Sequence, residues 1–113
     1  MITVEKLNEY GANTSEGLGR CMGNEALYLR LVSTVVAQPD FDKLNEAVAT
    51  GDLKTAFESA HALKGVLGNL SLTPLYEKVS EITELLRART ETDYSPLLSE
   101  ISALRDGLKK LEE

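Results

Sequence analysis

The sequence has no tryptophan, one histidine (His61), one cysteine (Cys21) and three prolines among its 113 residues. A single cysteine excludes an internal disulfide, and a reducing cytoplasm is the expected compartment. A single histidine excludes the multi-histidine metal sites that helix bundles build; the Glu58-x-x-His61 spacing lacks the second such pair that a di-iron centre needs. Only Phe41, Phe57 and four tyrosines are aromatic, so Leu, Ala, Val and Ile must fill the core. No long hydrophobic run is present. The stretch from Leu31 to Ala37 is interrupted by Ser33 and Thr34 and is far shorter than the roughly 20 residues that span a bilayer. The first residues lack the charged-then-apolar layout of a signal peptide. Basic clusters are absent as well. With 12 basic and 18 acidic side chains, the net charge is −6. That balance disfavours nucleic acid and anionic membrane as partners.

What is present is helical punctuation. Thr3 to Tyr10 reads as a short helix closed by Gly11. Ser15 to Met22 reads as a weak one, because Gly17 and Gly19 lie inside it. Asn24 is an N-cap for a helix with Leu27, Leu31 and Val35 on one face, stopped by Pro39. Asp40 is expected to cap the next, with Phe41, Leu44 and Val48 inward and Gly51 at its end. Asp52 caps a long segment to about Leu70. Thr73-Pro74 reads as a cap followed by proline in the first turn. Leu75, Val79, Ile82 and Leu86 then repeat with helical spacing, as do Leu97, Ile101, Leu104, Leu108 and Leu111 after a start between Thr92 and Pro96. No segment alternates with period two. The expected fold is all-α: an antiparallel, up-down-up-down four-helix bundle with extra short N-terminal helices. Residues 1–113 are expected to form one domain, with about 1–23 as the short helical segment and about 24–113 as the bundle.

The segment from Asp52 carries the chemistry. On a helical wheel with His61 at zero, Leu53, Ala56, Ala60, Leu63, Leu67 and Leu70 fall in an arc of roughly 180° to 280°. That arc must face the core. Lys54, Phe57, Lys64, Gly65 and Gly68 fall within about 60° of His61, on a more exposed stripe. Each helical glycine costs about 1 kcal/mol relative to alanine. Two on one stripe are explained by access, since the missing Cβ lets another protein approach the imidazole. Lys64, at i+3, can serve an anion placed on that ring. Such an arrangement suits phosphoryl transfer, where positioning and charge neutralisation dominate. Cys21 and His61 do not suggest a thiol nucleophile, because no third orienting group accompanies them. Glu77, Glu81 and Glu84 read as a solvated helix face.

His61-Ala-Leu63-Lys64-Gly65 followed by Gly68-Asn69-Leu70, with Ala60 before the histidine, resembles the signature of histidine-containing phosphotransfer (HPt) domains of bacterial phosphorelays. Leu18, Gly23-Asn24, Tyr28 and Leu31, and then Asp52 with Ala56, resemble the flanking pattern. One departure is Ser71, where many members have glycine ten residues after the histidine. Val66 and Leu67 also replace small residues. The resemblance implies that His61 accepts a phosphoryl group from a receiver-domain aspartate and passes it to another. It implies that Lys64 stabilises the phosphoryl oxygens, and that Gly65, Gly68 and Phe57 belong to the receiver's access and docking surface. The expected partners are response-regulator receivers, with a hybrid histidine kinase as a further one. Mg²⁺ is supplied by the receiver, so no metal or other cofactor is expected on this chain. The expected protein is a monomeric phosphocarrier, not an enzyme. The alternative is an HPt-like module that docks a receiver or kinase without transfer.

Overall fold

The computed structural model describes residues 1–113, which form seven helices and no strand. These are α1 (Val4–Tyr10), α2 (Thr14–Arg20), α3 (Glu25–Val35), α4 (Pro39–Ala49), α5 (Leu53–Asn69), α6 (Thr73–Arg87) and α7 (Ser95–Lys110). Most starts have a local cause. The side chains of Thr3, Asn13, Asn24 and Asp52 each accept the backbone N–H three residues on, which satisfies an otherwise orphaned donor. Gly11 closes α1 in the left-handed conformation, φ 109°.

Two starts differ from expectation. Asp40 does not cap α4. Gln38 is the N-cap and Pro39 occupies the first turn, where its missing N–H costs nothing and its fixed φ suits the helix. Thr73 likewise lies inside α6, one residue after Leu72, with Pro74 in the first turn. α7 starts at Ser95, within the expected Thr92 to Pro96, and the Ser95 N–H is held by the Asp93 carboxylate at 2.9 Å.

The core is one cluster of 23 buried apolar residues running from Ile2 to Leu108. α5 is its centre and packs against both α4 and α6, while α7 lies against α6. The inward face of α5 is Ala56, Ala60, Leu63 and Leu67, joined by Ser59. α6 turns Leu75, Val79, Ile82 and Leu86 inward, as its spacing predicts. The face of α3 is not the expected one. Tyr28, Val32 and Val35 are buried, whereas Leu31 is exposed. The ring of Tyr28 decides the rotation, because it offers more apolar area than a leucine. It passes under α2 at Gly17, and its hydroxyl donates to the Leu70 carbonyl at 2.9 Å.

Long-range polar contacts tie the outer helices down. Tyr10 donates its hydroxyl to the Leu104 carbonyl at 2.7 Å, joining α1 to α7. The Arg105 guanidinium donates to the Val36 carbonyl, pairs with Asp42 at 3.2 Å and lies 4.7 Å over the Phe41 ring. No helix is long and apolar enough to cross a membrane.

Candidate functional site

His61 lies midway along α5, and its side chain is exposed beside the buried neighbour Ala60. The seventeen residues of α5 explain that placement. Their apolar stripe fixes the helix rotation, and the histidine falls outside it. One turn before, Phe57 stacks on the imidazole with ring centroids 5.7 Å apart and planes 18° from parallel. The guanidinium of Arg87, on α6, sits 5.0 Å from the centre of the Phe57 ring. One side of the imidazole is thus backed by an aromatic ring that a cation supports in turn.

Beyond His61, toward the C-terminal end of α5, lies an open depression of about 510 Å³. Its lining is almost wholly polar and includes His61, Lys64, Gly65, Gly68 and Asn69 from α5. α6 contributes Tyr76, and α2 contributes Glu16 and Arg20. A Cβ built on Gly65 would meet no atom within 4 Å. Nothing inside the chain requires glycine there. Gly68 is different, because a Cβ at that position would come within 3.3 Å of the Tyr76 ring. Close packing of α6 on α5 is a reason of its own for the second glycine.

The Lys64 ammonium is partly shielded and lies 3.8 Å from the Glu84 carboxylate on α6. The other oxygen of Glu84 holds Arg87 at 3.2 Å. Glu77, Glu81 and Glu84 are exposed, as their spacing suggested, but Glu84 also pairs with two cations. It joins the lysine beside the imidazole to the arginine behind the Phe57 ring. Sequence reading also passed over Arg20, which reaches the Gly68 carbonyl and pairs with Glu16 at 2.9 Å. Partners 48 residues apart leave no periodic signal. Cys21 is buried at the C-terminal end of α2 and lines no part of the depression.

Ser71 stands in the turn after α5 with φ 53°, a left-handed conformation that favours glycine. That is a physical reason for glycine at this position in proteins of the resembling pattern. Here Ser71 is fixed by the segment before α2. Its hydroxyl donates to Glu16 at 3.1 Å, and its carbonyl accepts the Asn13 N–H at 2.9 Å.

The family model of the Hpt domain matches residues 35–113, which contain α4 to α7 in full. The chain belongs to this family, whose members carry phosphoryl groups on histidine in phosphorelays. The matched residues include His61, Lys64 and Gly65, whereas α1, α2 and nearly all of α3 precede the match. No curated protein and no solved structure matches the chain.

Proposed function

We propose that this protein is a phosphocarrier that takes a phosphoryl group on His61 from a receiver aspartate and gives it to another. The observation that carries the reading is an exposed imidazole beside a polar depression, next to the one α5 glycine whose missing Cβ leaves open space. A neutral imidazole nitrogen offers its lone pair to phosphorus. The N–P bond forms as the aspartyl O–P bond breaks, and the carboxylate leaves with the electron pair. Lys64 offsets the charge of the phosphoryl oxygens. Phe57 restricts the ring's orientation, Gly65 lets the receiver descend onto it, and Gly68 keeps that flank of the depression low. The receiver brings the divalent ion, and the carrier needs no catalytic site of its own.

In this reading α4 to α7 form the antiparallel up-down-up-down bundle, and residues 1–113 act as one cytoplasmic, monomeric domain. The single core, to which Ile2 and Leu7 belong as fully as Leu108, supports one domain. A hybrid kinase is a further partner.

The test mixes the protein with a phosphorylated receiver and looks for acid-labile, base-stable phosphate on the chain. His61→Gln should abolish labelling while leaving the melting temperature within about 2 °C, since exposed substitutions usually change stability by under about 0.5 kcal/mol. Label at wild-type level on that variant would refute the assignment. Tight receiver binding by the wild type with no label would instead establish a docking module without transfer.

A further inference from the structure

We propose that Glu84 is a positioning residue for His61: it holds Lys64 in reserve and releases it when the imidazole is phosphorylated, and so limits how long the phosphoryl group is retained. The proposal rests on His61 being the phosphoryl acceptor. Its geometric basis is that Glu84 reaches the site by two routes. One oxygen lies 3.8 Å from the Lys64 ammonium, three residues along α5 from His61. The other binds Arg87 at 3.2 Å, and Arg87 backs the Phe57 ring on which the imidazole lies.

The two contacts differ in strength. At 3.8 Å the lysine contact is an ion pair longer than a hydrogen bond, whereas the arginine contact is a hydrogen-bonded pair. A dianionic phosphoryl group on His61 would compete for Lys64 with a single carboxylate. Because Arg87 stays, losing the lysine does not leave Glu84 unpaired, and the exchange is cheap. Yet the carboxylate's pull on Lys64 must be overcome, so the phosphorylated form is less stable than it would be with a free lysine. Glu84 thereby favours passing the group on over keeping it.

Potassium phosphoramidate tests this without a receiver. The imidazole nitrogen forms the N–P bond, the donor's P–N bond breaks and ammonia leaves. After the donor is removed, hydrolysis to inorganic phosphate is followed by ³¹P NMR. Glu84→Gln should lengthen the half-life of the phosphorylated protein about two- to fivefold, the range an exposed ion pair can supply. Glu81→Gln makes the same charge change one turn earlier on α6, where Glu81 pairs with Lys78 at 3.9 Å, and should leave the half-life unchanged. In a Lys64→Ala background the Glu84 substitution should have no further effect.

Equal half-lives for Glu84→Gln and the wild type would overturn the proposal. So would an equal gain from Glu81→Gln, or a gain that persists without Lys64. Loaded wild-type protein that passes nothing to a receiver would sink the relay role while leaving the Glu84 comparison intact. A wild type that takes no phosphoryl group on His61 would overturn both.

Discussion

Substituting Gly65 separates what the helix wants from what a partner needs. The backbone of α5 is helical through this position, so glycine there costs about 1 kcal/mol relative to alanine. A Cβ meets nothing within 4 Å, so no steric term offsets the gain. Gly65→Ala should therefore stabilise the fold by close to 1 kcal/mol and raise the melting temperature by about 4 °C. Gly65→Gln should gain slightly less. In a docked complex the same side chain would sit between the receiver and the imidazole. An overpacked contact costs about 1–3 kcal/mol, so transfer from a receiver should slow about tenfold or more. A small donor such as phosphoramidate needs no such clearance and should load both variants at nearly the wild-type rate. The assay pairs a circular-dichroism melt with the two loading rates. A stabilised Gly65→Gln protein that accepts phosphoryl from a receiver as fast as the wild type would refute the access argument. A destabilised Gly65→Ala protein would refute the claim that the space is open.

Gly17→Ala should do the reverse, because its Cβ would fall 2.5 Å from the Tyr28 ring. Displacing that buried ring and its bond to Leu70 outweighs the gain in helix propensity, for a net loss of about 1–3 kcal/mol, measurable by urea denaturation. Lys64→Ala should slow transfer from a receiver about tenfold with little change in melting temperature, and the loss should shrink as salt rises. Asp52 accepts from the Thr55 hydroxyl at 2.7 Å and the Thr55 N–H at 3.1 Å, which hold its carboxyl below the usual range. A carboxylate with a depressed folded pKa stabilises above its unfolded value and loses that contribution as pH falls through the folded one. Melting temperature should therefore drop below about pH 4, and Asp52→Asn should make the drop shallower.

The path of α5 was legible because three independent local signals agree on it: the Asp52 cap, the apolar arc and the exposed stripe bearing His61. α3 was misread for a definite reason. Leu27, Leu31 and Val35 share a spacing of four, but so do Tyr28 and Val32, and spacing alone does not rank two candidate faces. The choice is made by Tyr28 fitting under Gly17, a contact between two helices. Gly17 itself looked like a weakness of α2, since composition shows the propensity cost and not the ring that the glycine admits. Glu84 is exposed as read, but its partner on α5 was not visible in the sequence. Three glutamates spaced along one helix resemble a solvated face until α5 brings Lys64 alongside.

These long-range contacts also show how the part of the chain before the family match shapes the site. Residues 35–113 supply His61, Lys64 and Gly65, but the wall of the depression opposite them comes from Glu16 and Arg20 on α2. That wall is not free-standing. Tyr28 packs against Gly17 and bonds Leu70, Ser71 bonds Glu16 and Asn13, and Arg20 reaches Gly68. Apart from the Tyr28–Gly17 packing, these contacts end on the last turn of α5 or the turn after it. Gly68 is seven residues beyond His61, about 10 Å along the helix axis. Arg20 is held there at the Gly68 carbonyl, on the rim of the depression that His61 also lines. Lys64, three residues after His61 on α5, is paired with Glu84 of α6. The charges at the far rim, Glu16 and Arg20, come from α2, outside the residues that the family model matches.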